Sequence, residues 1–497
     1  MAQYSTISVI YPPIILPEPE RPSYTFPIGA GYIAAVLERE GYKVSCIDAI
    51  AEGGRRHISD KLVEYGLSVE SLIDRIRQRT PDIVAISCQF SLQYQPTRTL
   101  IKAIKQWNPD ILTILGGTHS SAQPEDVLDQ TDVDYIVLSE GEETIIELID
   151  TLQRGKPLDQ IDGLAWRNNG VKQINKRKKF IRNLDTIPYP ARHLFNMKVY
   201  FNTARGWGET GSVRRLSMIT SRGCPFGCSF CGIHLNTGKK FRMRSAENVL
   251  AEIDILVNEY GAQEIMFEDD NISLNRGRFV QILQGIRDNY PDLRWSATSG
   301  MALWTLDDDI LTLMKESGCT KVYLGLESGS ERVLRDIIGK HLTSKDKIRK
   351  YVSKIKRVGL KTVGFWVIGN PGETRKEMWD TLDFARELQL NYNQVLIALP
   401  YRGTKLYDQC VAQGYLARSP DLDPNEMLET MALIQTPEFS PEDVIAIQQA
   451  GRFLAIRSNG TSLARALTEL LTRQRGLFMR ILLEIFKKKT GYYRFCK

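Results

Sequence analysis

The segment 220–231 reads TSRGCPFGCSFC and places three cysteines, Cys224, Cys228 and Cys231, on one short stretch of chain. An apolar run, Leu216–Thr220, comes directly before the first cysteine and predicts a buried strand. Thiolates four and three residues apart on one loop can converge on a single centre. Such thiolates can bind three irons of a cubane and leave the fourth iron open to an external ligand. The spacing therefore predicts a 4Fe–4S cluster at the end of a strand.

Two other interpretations of the same cysteines remain open. The three thiolates and His234 match the ligand types of a structural Cys3His zinc site, which is closed and tetrahedral. Alternatively, the three thiols are packing residues without a ligand. The cysteines follow a strand that opens a barrel-like series, where active sites are built, and this position favours the cluster.

Outward from the cysteines, residues 213–415 alternate short apolar runs with amphipathic stretches. The predicted strands are Leu216–Thr220, Glu264–Phe267, Trp295–Ala297, Lys321–Leu324, Thr362–Trp366 and Val395–Ala398. The predicted helices between them include Glu247–Tyr260, Arg278–Asn289, Asp308–Ser317 and Lys376–Glu387. Six β/α units predict a partial (β/α)6 TIM-type barrel, with its functional residues at the carboxyl ends of the strands.

Residues 1–155 predict a separate α/β domain. The predicted strands are Ile7–Tyr11, Val44–Ile47, Ile83–Ser87, Leu112–Leu115 and Tyr135–Leu138. The predicted helices are Ala30–Glu40, Val69–Arg79, Gln95–Trp107 and Glu142–Arg154. Apolar strands separated by helices indicate a doubly wound, Rossmann-like parallel sheet with a ligand crevice at its carboxyl edge. Residues 156–212 predict a hairpin and linker, and residues 416–497 a helical C-terminal region.

The cysteine loop resembles that of the radical-SAM superfamily, with its CxxxCxxC spacing and an aromatic residue, Phe230, before the last cysteine. The resemblance implies that the open iron binds the amino and carboxylate groups of S-adenosylmethionine (SAM). Reductive cleavage of SAM would then give a 5′-deoxyadenosyl radical that abstracts a hydrogen atom.

Residues after later strands match the same family, and the resemblance implies that they contact SAM. Asp269 and Asp270 would face its amino end, where a carboxylate suits an ammonium, although a solvated loop or a helix cap also explains them. Glu327 and Ser328 would bind the ribose hydroxyls, and a helix N-cap is the alternative. The segment with Gly364, Ile368 and Gly369 would let the adenine lie against backbone.

A Rossmann-like domain before such a barrel resembles the cobalamin-binding branch of the superfamily. The resemblance assigns cobalamin contacts to residues at or after strand ends, namely Asp48, Gly53, Ser87, Gly116, Gly117, Glu140 and Gly141. A tight turn without a ligand is the alternative for the paired glycines. The chain departs from cobalamin proteins with an Asp-x-His-x-x-Gly loop, because Ile50 stands where the cobalt-ligating histidine would be. We expect neither His57 nor His119 to replace that histidine.

The resemblance implies a cobalamin-dependent methyltransferase that C-methylates an unactivated carbon of a small-molecule or lipid-like substrate. It further implies a flavodoxin- or ferredoxin-type electron donor. A cyclase or rearrangement enzyme of the same branch is a second interpretation, and a non-catalytic scaffold with structural zinc is a third, from another class.

Composition predicts a cytoplasmic globular protein. The chain has 497 residues, 25% charged residues and a net charge of only +6, without a nucleic-acid-binding motif. Its eight cysteines do not form a disulfide framework, and no apolar run is long enough to span a membrane. The segment 477–489 predicts an apolar helix with basic edges, which either docks on the barrel or contacts an anionic membrane surface.

Overall fold

The computed structural model describes residues 4–18, 20, 22, 24–59, 62–201, 213–417 and 431–458, the last seven of them as backbone. The described residues form two compact units. The first comprises Met1–Cys224 and Ile233–Met266, and the second comprises Pro225–Gly232 and Phe267–Lys497. The predicted membrane-contacting helix 477–489 lies outside the described residues.

The strands of the described chain are numbered in sequence order. They are β1 (Thr6–Tyr11), β2 (Ile14–Pro17), β3 (Lys43–Asp48), β4 (Gly54–His57), β5 (Leu62–Gly66), β6 (Ile83–Ser87), β7 (Leu112–Gly116), β8 (Tyr135–Val137), β9 (Leu164–Asn168), β10 (Val171–Asn175), β11 (Arg215–Met218), β12 (Ser221–Arg222), β13 (Arg242–Met243), β14 (Glu264–Phe267), β15 (Arg294–Ala297), β16 (Cys319–Glu327), β17 (Lys361–Ile368) and β18 (Tyr392–Ile397).

The α-helices are numbered in the same way. They are α1 (Ile28–Arg39), α2 (Ala49–Glu52), α3 (Val69–Arg79), α4 (Tyr94–Trp107), α5 (Thr118–Ala122), α6 (Pro124–Gln130), α7 (Glu142–Gln153), α8 (Ile233–Thr237), α9 (Ala246–Asn258), α10 (Arg276–Asn289), α11 (Asp308–Glu316), α12 (Lys345–Arg357), α13 (Arg375–Leu388), α14 (Lys405–Ala412) and α15 (Pro441–Ser458). A π-helix covers Val333–Ile338.

The first unit contains a seven-stranded sheet in the order β10-β9-β8-β7-β6-β1-β3. Strands β3, β1, β6, β7 and β8 are parallel, and the hairpin β9–β10 adds two antiparallel strands at one edge. This confirms the doubly wound fold. The winding of the parallel strands reverses between β1 and β6, and ligands of such sheets bind beyond the carboxyl ends of the strands at this switch point.

The parallel strands are apolar because helices cover both faces of the sheet. Four of the five residues of β6 are buried, and the core on one face includes Leu72, Leu100 and Leu115, all of them fully buried. A three-stranded sheet, β2-β5-β4, was not predicted. Its own apolar cluster includes Ile14, Ile50 and Val63.

The six strands predicted for the barrel are all present in the predicted order. Strands β11 and β14 pair within the first unit, whereas β15 to β18 pair in chain order and in parallel within the second. Strand β16 extends to Glu327, beyond the predicted end at Leu324, and β17 extends to Ile368. The π-helix and α12 were not predicted.

Helix starts in the second unit follow ordinary capping chemistry. The Thr374 hydroxyl accepts from the Glu377 backbone N–H, and the Glu377 carboxylate accepts from the Thr374 backbone N–H at 3.0 Å. This capping box begins α13. Helix α15, in the C-terminal region, packs on α13 and β18.

Cysteines outside the loop carry no disulfide within the described chain. Cys46, Cys88, Cys319 and Cys410 are buried thiols, as predicted for small apolar residues. None of the helices in the described ranges is both long and apolar enough to cross a lipid bilayer.

Candidate functional site

The three cysteines lie on a loop between β12 and α8, and each is partly exposed. The Cys231 backbone N–H donates to the Cys228 carbonyl at 3.1 Å, which forms a turn between them. Burial raises the pKa of the Cys228 thiol, and the positive charge of Lys340 opposes this effect. Among the described residues, no three histidine, cysteine or acidic side chains are grouped closely enough for a single metal ion.

Backbone hydrogen bonds fix the middle of the cysteine loop within the second unit. The Ser229 N–H donates to the carbonyl of Ile338, the last residue of the π-helix, at 2.9 Å. The Ser229 carbonyl accepts from the Leu406 N–H in α14, also at 2.9 Å. The π-helix then ends at Gly339, which has a φ of 72°. Isolated π-helical turns are frequent at functional sites, and this one leads directly to Lys340.

Glu327 and Lys340 form an ion pair beside Cys228. The Lys340 ammonium lies 2.7 Å from one Glu327 carboxylate oxygen, and these side chains are 19% and 10% exposed. Glu327 has a φ of 64°, an unfavourable backbone for a residue other than glycine, and β16 changes register there. Such strain is found mainly where function requires a particular side-chain position. Sequence reasoning selected Glu327 but missed Lys340.

Ser328, predicted with Glu327, is fully buried. Its hydroxyl lies 3.1 Å from the Thr381 hydroxyl and accepts from the Ser330 backbone N–H at 3.1 Å. These contacts hold the turn after β16 against α13. These hydrogen bonds give the buried Ser328 a role in local structure, and its contact with the SAM ribose stays a prediction.

The acidic segment after β14 is not a solvated loop throughout. Asp269 is fully buried and Asp270 is partly buried. The neighbouring Glu268 accepts from the Thr298 hydroxyl at 2.9 Å, and the Asn271 side chain accepts from the Ala302 backbone N–H at 2.9 Å. These bonds tie together the segments that follow β14 and β15, and Asp269 lies in the chain between the two bonded residues.

The glycines predicted to face adenine lie close to other side chains of the second unit. A Cβ atom on Gly364 would lie 2.5 Å from the Leu390 side chain, and one on Gly369, whose φ is 86°, would lie 2.9 Å from Val444. Ile368 is fully buried. Packing limits the space at both glycines, and their contact with adenine stays a prediction.

Glu373 closes the turn after β17, a role that the sequence did not reveal. One of its oxygens accepts from the backbone N–H groups of Gly369 and Asn370 at 2.9 and 3.0 Å. The side chain is fully buried, and this burial raises the pKa of Glu373 to about 7. The other Glu373 oxygen and the Asn370 amide oxygen are buried without a hydrogen bond.

In the first unit, three residues predicted to contact cobalamin lie together at the carboxyl edge of the sheet. Ser87 ends β6 and pairs with Gly116, which ends β7, and Gly117 follows. All three are partly exposed. A Cβ on Gly116 would meet only the Val137 carbonyl oxygen, at 3.6 Å, whereas one on Gly117 would lie 2.3 Å from the Cys88 carbonyl oxygen. Gly117 is thus required by its own turn, whereas a Cβ on Gly116 would make only an ordinary van der Waals contact.

Asp48 and Gly53 are explained by contacts within the first unit. Asp48 is buried, accepts from the Tyr200 hydroxyl at 2.6 Å, and caps α2. Burial raises the pKa of Asp48 to about 6. A Cβ on Gly53 would lie 2.0 Å from the backbone of Gly66. Ile50 is 6% exposed within the apolar cluster of the small sheet, so a side chain here points into that cluster.

Glu140 and Gly141 likewise face protein groups. Glu140 is buried and pairs with Arg242 at 2.8 Å and with Arg222 at 3.4 Å. A Cβ on Gly141 would lie 3.0 Å from the Ile33 side chain. Arg222 also donates to Glu142 at 2.5 Å. Burial acts to raise the pKa of Glu142, but the charge of Arg222 outweighs burial, so the pKa is lowered.

A second buried ion-pair cluster lies in the same unit. Glu252 is fully buried and pairs with Arg192 at 2.7 Å and with Arg244. Burial acts to raise the pKa of Glu252, but the two arginines lower it below its usual value. These carboxylates stabilise the fold and are not open to a ligand.

Comparison with known proteins agrees with this architecture. Residues 20–149 match the B12 binding domain model, and residues 218–385 match the radical SAM superfamily model. An uncharacterised methyltransferase of Pyrococcus horikoshii is 36% identical over 78% of this chain and 79% of its own length. Cytidylyl-2-hydroxyethylphosphonate methyltransferase of Streptomyces wedmorensis is 32% identical, over 87% and 85% of the two chains. The chain belongs to the cobalamin-dependent radical SAM methyltransferases.

A solved structure shares the fold of this radical SAM methyltransferase. TsrM from Kitasatospora setae, solved with cobalamin and a [4Fe-4S] cluster, superposes with a TM-score of 0.65 at 17% identity, covering 89% of this chain and 81% of TsrM. The cofactors of the family are the 4Fe–4S cluster, SAM and cobalamin. Partly exposed thiols on one loop fit the cluster, and the partly exposed Ser87, Gly116 and Gly117 at the carboxyl ends of β6 and β7 fit a cofactor that approaches the backbone.

Proposed function

We propose that the enzyme C-methylates an unactivated carbon of a small-molecule or lipid-like substrate by a radical route. The observation that carries this proposal is the set of Cys228, Lys340 and Glu327 in the second unit, in a chain whose first unit pairs the partly exposed Ser87 and Gly116 at the carboxyl ends of β6 and β7. When bound, the cluster and SAM supply a hydrogen-abstracting radical, and cobalamin supplies a methyl group.

The chain's own residues bind and orient these groups. Cys224, Cys228 and Cys231 hold the cluster, with Phe230 beside the last of them. Glu327 accepts from the ribose hydroxyls of SAM, with its carboxylate oriented by Lys340. The buried carboxylate of Asp269 accepts a hydrogen bond from the positively charged amino group of SAM. Such a charge-assisted hydrogen bond is stronger than a neutral one.

The name of the Streptomyces wedmorensis relative supports a small-molecule substrate. That protein is called a cytidylyl-2-hydroxyethylphosphonate methyltransferase, and more than four-fifths of both chains align. We therefore propose a small molecule ahead of a lipid-like substrate, and cytidylyl-2-hydroxyethylphosphonate is the first compound to test.

The test is anaerobic turnover by protein reconstituted with iron, sulfide and cobalamin. With SAM, a reductant and the test compound, methyl transfer yields both S-adenosylhomocysteine and 5′-deoxyadenosine, and label from methyl-deuterated SAM enters the product. Formation of 5′-deoxyadenosine without S-adenosylhomocysteine would contradict methyl transfer and favour the cyclase interpretation.

Cysteine variants provide the matched control. Replacement of Cys224, Cys228 and Cys231 by alanine should abolish iron binding and SAM cleavage together. Replacement of Cys410, a buried thiol in α14, should leave both unchanged. A triple variant that keeps full iron content would contradict the cluster assignment.

A further inference from the structure

A group of exposed lysines lies on the first unit, and we call it the lysine patch. Its members come from two segments of the chain, 176–179 and 239–240. Their side chains are all exposed, and none of their ammonium groups has an ion-pair partner among the described residues. The members are Lys176, Lys178, Lys179, Lys239 and Lys240. The patch is therefore strongly positive and faces solvent.

The two segments are joined by contacts around the Phe180 ring. A Cβ atom on Gly238, whose φ is 73°, would lie 2.9 Å from this ring. The Arg242 guanidinium lies over the same ring, 5.2 Å from its centre, and donates to one backbone carbonyl beside each segment, at 2.7 and 2.5 Å. Because Lys179 precedes Phe180 and Lys239 follows Gly238, the lysines of the two segments lie close together.

The first segment is firmly held by the sheet. The Arg177 side chain is 8% exposed, donates to the Leu138 carbonyl at 3.0 Å and lies 3.7 Å from the Asp162 carboxylate. The same carboxylate accepts from the backbone N–H groups of Lys178 and Lys179 at 3.0 and 2.9 Å. The buried arginine is thus opposed by an acid, whereas the lysine side chains extend outward from ordered backbone.

The second segment lies against the start of the cysteine loop. A Cβ atom on Gly223, whose φ is 86°, would lie 2.4 Å from the Lys240 carbonyl oxygen. Gly223 directly precedes Cys224, so the backbone of the patch contacts the backbone that leads to the first cysteine. Met243, three residues beyond Lys240, is 38% exposed and adds an apolar side chain of a type that is enriched at protein interfaces.

The chemistry of the cysteine loop indicates what a positive surface beside it would bind. Cleavage of SAM by this family is reductive, so the cluster must receive an electron from another molecule. Unpaired lysines attract a negatively charged partner and steer it to this face. Encounters between electron-transfer proteins bury little surface, so a small group of charges is sufficient.

We propose that the lysine patch is the docking surface for an acidic one-electron carrier protein of the flavodoxin type. One electron leaves the reduced carrier and enters the cluster, so the carrier is oxidised and the cluster is reduced. That electron then passes to the SAM sulfonium, whose bond to C5′ breaks to give methionine and the 5′-deoxyadenosyl radical. The inference rests on the cluster of the proposed function, and it assigns to the carrier a face of the first unit.

The test compares two variants of equal net charge in the full, reconstituted chain. The patch variant is Lys179→Glu with Lys239→Glu, one change in each segment. The control variant is Lys43→Glu with Lys102→Glu, because both lysines are exposed and have no ion-pair partner in the described ranges. Lys43 begins β3, at the opposite end of the sheet order from β10, and Lys102 lies in α4.

Two measurements are made on each protein. Isothermal titration calorimetry with oxidised flavodoxin gives the affinity without any turnover. The rate of 5′-deoxyadenosine formation is recorded with limiting flavodoxin hydroquinone and, separately, with reduced methyl viologen, a small cation that needs no docking surface. Both flavodoxin measurements are repeated with added salt, which screens exposed charges.

The patch variant should lose about tenfold or more in flavodoxin affinity and in the flavodoxin-driven rate, and should keep the rate with methyl viologen. Wild type and the control variant should agree, and added salt should weaken flavodoxin binding by both. Equal flavodoxin affinity of the patch variant and wild type, an equal loss with methyl viologen, or binding of wild type to phosphatidylglycerol vesicles but not to flavodoxin would overturn the inference. Wild type that cleaves no SAM with either reductant would contradict the proposed function, and the titration would still decide the docking.

Discussion

Replacement of Lys340 by methionine should weaken SAM binding to the reconstituted enzyme. The lysine ammonium lies 2.7 Å from Glu327, and both side chains are mostly buried, so solvent screens the pair only in part. If Glu327 is no longer held in place, SAM loses the hydrogen bond from its ribose hydroxyl to this charged carboxylate, and a hydrogen bond to a charged group contributes roughly 1.5–3 kcal/mol. Because about 1.4 kcal/mol corresponds to a tenfold change in affinity, the expected loss is about 10- to 100-fold.

The loss arises because Glu327 would keep its strained backbone but lose the group that orients its carboxylate. Equilibrium dialysis with labelled SAM measures the affinity, and iron analysis verifies that the cluster is retained. Lys340→Arg should recover most of the affinity. Lys376→Met is the matched control, since Lys376 pairs with Asp380 at 2.8 Å but is 56% exposed.

A ligand without ribose distinguishes orientation of Glu327 from direct binding by Lys340. Methionine retains the amino and carboxylate groups of SAM but has no ribose hydroxyls. If Lys340 acts through Glu327, methionine should bind the Lys340→Met variant and the wild type equally. Equal SAM affinity of variant and wild type would refute the role of the pair, and a matching loss for methionine would refute the route through ribose.

Three further predictions concern the supporting structure. Glu252→Gln leaves two buried arginines without their counter-charge and should lower the free energy of unfolding in urea by about 3–5 kcal/mol. Because the pKa of Glu252 is lowered in the folded protein, this stabilisation is present above the pKa of the unfolded state and is lost as the pH falls through the pKa of the folded state. Glu373 has the opposite sign, because its pKa in the folded protein is about 7 and exceeds the ordinary value of 4.5. As the pH rises from 4.5 to 7, the free energy of unfolding of wild type should therefore fall by on the order of 3 kcal/mol relative to that of Glu373→Gln. The same pH dependence of urea unfolding in both proteins would contradict this prediction. Gly117→Ala should lower the melting temperature clearly more than Gly116→Ala, because only the former combines a φ of 109° with a backbone clash, and equal shifts would disprove the turn argument.

Most of the fold could be predicted because buried parallel strands form continuous apolar runs. Strand β6 has the predicted bounds, Ile83–Ser87. The small sheet was missed because Ile14–Pro17 is short and pairs with Leu62–Gly66, far along the chain. The π-helix was missed because its six residues are too few to show a helical period of apolar residues.

The site was predicted where chemistry is local in sequence and missed where it depends on packing. The cysteine loop carries its own signature, so three ligands could be named from spacing alone. Lys340 lies 13 residues beyond Glu327, and it approaches that carboxylate only because the π-helix ends at a left-handed glycine, Gly339. No periodicity in the sequence encodes this approach.

Glu140 and Glu327 show why a carboxylate at a strand end is ambiguous in a sequence. Glu140 follows β8, Glu327 is the last residue of β16, and both were predicted to bind a cofactor. Glu140 pairs with Arg242, 102 residues away, and with Arg222, and a buried carboxylate neutralised by two arginines has little reason to bind a ligand. Glu327 meets one lysine through one oxygen, on a strained backbone beside Cys228, so its second oxygen can accept from a hydroxyl. The number of cations that reach each carboxylate, fixed only by the folded chain, separates a structural role from a binding role.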